Sequence, residues 1–156
     1  MGRIDHINNP NAPKANSVVP STTSFVLNDD NQLLLIQRSD NSDWALPGGA
    51  HDAGESIAQT AIRETEEETG ILIKITGLIG LYTSPNHLIE YDDGEVRQQF
   101  SLCFSAVPYA GDLRISDESK RVEWVDYGKL DNLSINPSMR LRIDHGFSHN
   151  QSIYIG

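Results

Sequence analysis

A chain of 156 residues is long enough for one domain with a buried core, and its 38% hydrophobic and 22% charged content is globular rather than disordered. A formal net charge of -10 disfavours nonspecific binding to nucleic acid polymers or anionic membranes, and it opposes polyphosphate ligands unless metal ions or local basic residues intervene. The single cysteine, Cys103, excludes an internal disulfide and a cysteine-based zinc site.

Residues 1–19 are rich in Asn, Pro and Ala and lack periodicity. Residues 1–17 are read as a flexible N-terminal arm, which leaves 18–156 as one domain. No opening segment has the apolar run of a signal peptide, and the longest aliphatic run is LLLI at 33–36. A cytoplasmic location without a membrane partner is the expectation.

"STTSFVLND" and "LLLIQR", separated by a polar turn, predict a hairpin. "SDNSD" is loop, and "WALPGG" is a short extended piece ended by Pro47-Gly48-Gly49. A helix follows from Ser56 to Thr69, with Ser56 and Gln59 as a capping box and Gly70 as its stop. Ile57, Ala58, Ala61, Ile62 and Thr65 form one stripe at helical spacing. Residues 71–83 and 97–109 are long strand candidates around the polar turn YDDGE, and Cys103 serves as a small apolar strand residue. Residues 120–127 give a further strand. Asn136-Pro137 opens a last helix on which Met139, Ile143 and Phe147 recur every four residues. About five to seven strands and two helices make an α/β domain.

The first helix gathers Glu64, Glu66, Glu67 and Glu68 at its C-terminal end, where the macrodipole favours cations. Glu64, Glu67 and Glu68 share one side at i, i+3 and i+4, and each like-charge pair costs about 0.2–0.5 kcal/mol without a counterion. Arg63 offsets one of them through its i+4 relation to Glu67. A hard divalent cation, Mg²⁺ or Mn²⁺, would offset far more. A merely solvated acidic face is the plainer alternative. Against it stand the tight Pro-Gly-Gly turn, whose backbone can approach a ligand, and Glu55 at the helix entrance.

These positions carry a resemblance. Gly49, Glu55, Arg63, Glu64, Glu67, Glu68, Gly70 and Ile71 fall in register with the Nudix box, G-x5-E-x7-R-E-U-x-E-E-x-G-U with U a bulky aliphatic. Thr65 departs from it, standing where the first aliphatic belongs. The likeness covers roughly residues 18–147 and implies an α/β/α sandwich with a mixed sheet, the box forming loop–helix–loop. It further implies metal-dependent hydrolysis of a nucleoside diphosphate joined to another group, in which divalent ions neutralise phosphate charge and acidify a bound water. By position Glu64, Glu67 and Glu68 would be metal ligands, with the Gly48 carbonyl as a fourth and Arg63 orienting the carboxylates. The family's general base is not one fixed residue. Glu64 matches one usage, and Glu118, six residues before Trp124, fits a loop carboxylate used by other members.

Three further residues are candidates for substrate contact: Arg38 for a phosphate, Trp44 as a cleft wall, and His87 in the loop "TSPNHL". A surface ion pair, core packing and an ordinary loop histidine are the respective alternatives. Pro85, fifteen residues beyond Gly70, resembles a feature of the family's ADP-ribose pyrophosphatases and points to ADP-ribose or a nucleotide sugar. A pyrophosphohydrolase for oxidised nucleoside triphosphates and a non-catalytic nucleotide-sugar sensor are the competing readings. The implied partner is a small molecule, with homodimerisation left open.

Overall fold

A computed structural model describes residues 2–148 and 152–156. Along the chain lie strands β1 (Arg3–Ile7), β2 (Ser17–Val18), β3 (Ser21–Val26), β4 (Leu33–Arg38), β5 (Trp44–Ala45) and β6 (Gly48–Ala50), then helix α1 (Ile57–Thr69). Strands β7 (Ile71–Tyr82), β8 (His87–Tyr91), β9 (Val96–Gln98), β10 (Ser101–Gly111) and β11 (Ser119–Val125) follow. A 3-10 turn (Tyr127–Asn132), helix α2 (Pro137–Phe147) and strand β12 (Tyr154–Ile155) complete the chain.

The central sheet is mixed and ordered β12-β7-β10-β3-β6, with β10 and β3 parallel and β7 and β10 antiparallel. Alternation along β3 sorts its two faces. Ser24 receives a hydrogen bond from Thr65 of α1 at 2.9 Å, while Phe25 meets Phe147 of α2 edge-on at 5.0 Å. One helix therefore covers each face, which is the expected α/β/α sandwich. The leucine run repeats the sorting. Leu33 and Leu35 pack with Phe25, Tyr82 and Ile143 on the α2 side, and Leu34 packs with Val26, Ile71 and Ile73 on the α1 side. Each such burial is worth about 1.5–3 kcal/mol.

Three expectations need correction. β3 and β4 do not form a hairpin: they share one bridge, Leu27 to Leu33, and then part, β4 joining an antiparallel sheet β11-β4-β5. β3 already has β10 and β6 on its two edges, and β4, with Leu34 and Leu35 in different core layers, pairs instead with β11 and β5. The N-terminal arm is also overturned for residues 3–7, which pair antiparallel with β8 (residue 1 lies outside the described residues). That strand has no apolar alternation because its contacts are polar. Arg3 bonds Asp5 at 2.8 Å, and Asp5 approaches His87 at 3.4 Å. The third is His87, which opens β8 as a buried residue opposite Ile7 and not a loop residue. With β9 and β2 this makes a four-stranded sheet, β1-β8-β9-β2, absent from the sequence reading.

Candidate active site

Two glycines let the backbone pass over the acidic helix. β6 runs antiparallel to β3, with Gly48 opposite Thr23 and Gly49 opposite Thr22. A Cβ on Gly48 would fall on the Thr22 carbonyl oxygen, and one on Gly49 would fall on the Glu64 carboxylate. The half-buried Gly48 N–H donates to Glu68 Oε1 at 2.8 Å. Both halves of the capping box form, Gln59 N–H to Ser56 Oγ at 3.2 Å and Ser56 N–H to Gln59 Oε1 at 2.8 Å, and Gly70 closes the helix at φ 81°.

Arg63 is the hub of the acidic cluster. Its Nε donates to Glu55 Oε2 at 2.6 Å, and its Nη1 donates to Glu64 Oε1 at 2.9 Å and Glu67 Oε2 at 3.3 Å. Asp52 stands 3.2 Å from Nη2. The Arg63 bond holds the Glu55 carboxyl down at about 2. Glu68 lies outside this fan and is only 5% exposed. Burial, then the charges of Glu64 and Glu118, push its carboxyl up to about 8 against the Gly48 hydrogen bond. Burial raises Glu64 as well; Arg63 offsets this, and Glu67 and Glu118 add to it.

The helix end also receives help that the sequence reading missed. Arg114 Nη2 donates to the Glu66 carbonyl at 3.1 Å, its N–H to the Thr69 carbonyl at 2.8 Å, and Ser119 Oγ to the Glu68 carbonyl at 2.9 Å. A cation from beyond β10 thus serves the C-terminal dipole that the helix's own last turn, with no basic residue, leaves unserved.

Among the described residues no three acidic, His or Cys side chains converge as a ready cage for a metal ion. Glu64 and Glu67 are turned toward Arg63, and Glu68 toward Gly48 N–H. The donor chemistry nevertheless fits a hard divalent cation. Glu64 and Glu118 raise the proton affinity of Glu68, and Glu67 and Glu118 raise that of Glu64; a cation relieves the same crowding without a proton.

A cleft of about 150 Å³ begins at this cluster. Gly48, Glu68 and Arg38 line it near α1, and Arg3, Asp5, His87 and Arg142 line it farther on. Arg38 is held bidentately by Asp40, at 2.9 and 2.6 Å. Glu118 is exposed on the turn before β11, near enough for its charge to act on Glu64 and Glu68. Trp44 is not in the cleft. It is 5% exposed in the core beside Leu46 and Val125, with Arg121 over its ring at 5.3 Å; its short strand pairs with β4, which turns the indole inward. Pro85 sits in the tight turn between β7 and β8, so it delivers the cleft-lining β8 and no long overhanging loop.

Comparison with known proteins agrees with this geometry. The model of the NUDIX domain family matches residues 18–145. An ADP-ribose pyrophosphatase from Methanocaldococcus jannaschii is 32% identical over 114 residues, 71% of this chain. The match spans 64% of that relative's length, just under two thirds. An uncharacterised Nudix hydrolase from Bacillus subtilis is 34% identical over 74% of this chain and 71% of its own. A nucleoside triphosphatase from Enterobacter is 28% identical over 75% and 88%. Among solved structures, the MutT protein of Methanosarcina mazei superimposes with a TM-score of 0.68 at 22% identity, covering 90% of this chain and 100% of its own. At that identity the match speaks for the fold alone.

Proposed function

The chain belongs to the NUDIX domain family, and from that premise we propose that it is a divalent-metal-dependent hydrolase of the pyrophosphate linkage in nucleoside diphosphate derivatives. The observation that carries the reading is the surplus of negative charge around Glu68, facing a cleft that also holds Arg38. Glu64, Glu67 and Glu68 would hold the ion, Mg²⁺ or Mn²⁺, with the Gly48 carbonyl beside them. When bound, the ion would neutralise phosphate charge and acidify a water molecule. Arg63 keeps Glu64 and Glu67 in register through the bonds already described. Glu118, exposed on the turn before β11, would take a proton from the attacking water. Arg38, restrained by Asp40, would meet a phosphate oxygen.

Within the class, ADP-ribose or a nucleotide sugar is the favoured substrate. Support comes from the Methanocaldococcus relative and from the turn at Pro85, which feeds β8 into the cleft. The Enterobacter triphosphatase keeps a triphosphate substrate as the second reading. A panel of ADP-ribose, nucleotide sugars and triphosphates, with Mg²⁺ or Mn²⁺ and products resolved, decides it. The expected result is a higher kcat/KM for ADP-ribose or a nucleotide sugar than for any triphosphate. Activity unchanged in excess chelator would refute metal dependence, and triphosphate preference would refute only the substrate class.

A further inference from the structure

Four arginines line the cleft, and three bring their own carboxylate two residues away. Arg3 pairs with Asp5 at 2.8 Å, Arg38 with Asp40 at 2.6 Å and Arg97 with Glu95 at 2.9 Å. Arg142 does not. It is 1% exposed, and among the described residues no carboxylate lies within ion-pair distance of it. Its Nη1 donates to the carbonyl and the hydroxyl of Ser138, both at 2.7 Å, and its guanidinium lies 4.4 Å from the centre of the Tyr82 ring. Its Nε has no partner among the described residues.

Neutral acceptors and a ring face moderate a buried cation but leave its charge in place. Arginine cannot shed that charge by losing its proton. Burial works against the charged form here, with no carboxylate opposing it.

A second orphan stands beside it. Ser101 Oγ is buried and has no partner among the described residues. Ser101 is the cross-strand neighbour of Tyr82, the residue over which Arg142 lies, and paired residues share a face of the sheet. Ser101 and Arg142 both line the cleft. Leaving a buried polar group unmatched costs about 1–3 kcal/mol, and more when it is charged. The remaining polar neighbours extend outward: Ser138 Oγ is 3.2 Å from His87 Nδ1, whose Nε2 is 3.4 Å from Asp5.

We propose that Arg142 and Ser101 form a subsite for an anionic oxygen group, a carboxylate or a phosphate, carried by the substrate at the end away from the hydrolysed linkage. An anion is required because a neutral acceptor would satisfy Nε and still leave the buried charge uncancelled. The assignment to the substrate rests on the hydrolase reading; the anion subsite itself does not.

Two matched substrate pairs test it. One sets a nucleoside diphosphate glucuronate against the corresponding glucose compound; the other sets ADP-ribose phosphorylated on its terminal ribose against ADP-ribose. The anionic member of at least one pair should be preferred by about tenfold or more in kcat/KM, the worth of a charge-assisted contact. Which pair responds tells carboxylate from phosphate. The preference should vanish in Arg142→Gln and shrink in Arg142→Lys, which keeps the charge without the planar fork. No preference in either pair, or one unchanged in both variants, overturns the substrate assignment. In chelator, where hydrolysis plays no part, inorganic phosphate should raise the wild-type melting temperature and not that of Arg142→Gln. Absence of that rise in wild type, or an equal rise in the variant, overturns the subsite whatever the enzyme hydrolyses. Arg142→Met separates a structural role from a binding one. A buried charge without a counterion is costly, so its melting temperature should equal or exceed wild type; a large fall would make Arg142 a structural residue and sink the proposal.

Discussion

At the α1 end of the cleft one guanidinium serves four carboxylates; at the α2 end one guanidinium serves none among the described residues. Arg63 is bonded to or paired with Asp52, Glu55, Glu64 and Glu67, and Glu68 remains outside the fan. Arg142 has Ser138 and the Tyr82 ring for company. Folding alone favours neither arrangement, since unmatched charge in a poorly solvated place costs free energy. Opposite imbalances along one cleft suit a ligand bound to a cation at one end and carrying an anion at the other.

The sharpest way to break that comparison is to neutralise the acidic end. Glu68→Gln keeps the shape and the Gly48 hydrogen bond while removing charge. Turnover should fall by orders of magnitude, with the phosphate-induced rise in melting temperature retained in chelator. Loss of both responses would merge the two ends into one site. Near-normal turnover would remove Glu68 from the metal chemistry.

The next effect is on stability as a function of pH. In the folded protein the Glu68 carboxyl titrates near 8, against about 4.3 in an unfolded chain. Between those values the folded state binds the extra proton, so this group makes stability decrease as pH rises. Metal-free protein should therefore lose stability from about pH 5 to pH 8, and Glu68→Gln should flatten that slope. Thermal melts in chelator at several pH values measure it, and an identical slope in the variant would contradict the assignment. Mg²⁺ should restore stability at the upper end by ligand linkage, less so in Glu64→Gln.

Arg63→Met should then destabilise the protein, because it strips the half-buried Glu64 of the hydrogen bond that offsets its burial. Arg142→Met should not. Opposite signs in the two denaturant midpoints would sharpen the contrast; equal losses would erase it.

The acidic end was legible because helical spacing fixes which side chains adjoin: Glu64, Glu67 and Glu68 share a face whatever the rest of the chain does. The stop at Gly70 and the cap at Ser56 are equally local. The far wall was not legible, since it depends on β1 meeting β8 across more than eighty residues of chain through polar contacts. Trp44 was misplaced for a similar reason, as only the pairing of β5 with β4 sends its ring into the core. Arg142 left a partial signal: it lies three positions from Met139 and next to Ile143, close to the apolar stripe of α2, where a charge is out of place. What it faces depends on Tyr82, and therefore on the tertiary fold.

The smallest effect concerns Thr65, the one departure from the family pattern. Its hydroxyl donates to Ser24 Oγ at 2.9 Å, and both residues are fully buried. A polar pair therefore stands where an aliphatic would pack, and it pins α1 to β3 beneath the acidic cluster. Unlike Arg142 and Ser101, this pair is satisfied, so it should behave as structure and not as a site. Thr65→Val leaves Ser24 buried without that partner and should cost about 1–2 kcal/mol. Ser24→Ala should cost a similar amount, stranding Thr65 instead. The double variant removes both polar groups and should lose less than the sum of the two singles, the mark of a coupled pair. In all three, kcat should stay near wild type once the protein is folded. Additive losses would mean that the hydroxyls do not depend on each other, and a fall in kcat without a fall in stability would mean that the anchor also sets the carboxylates in place.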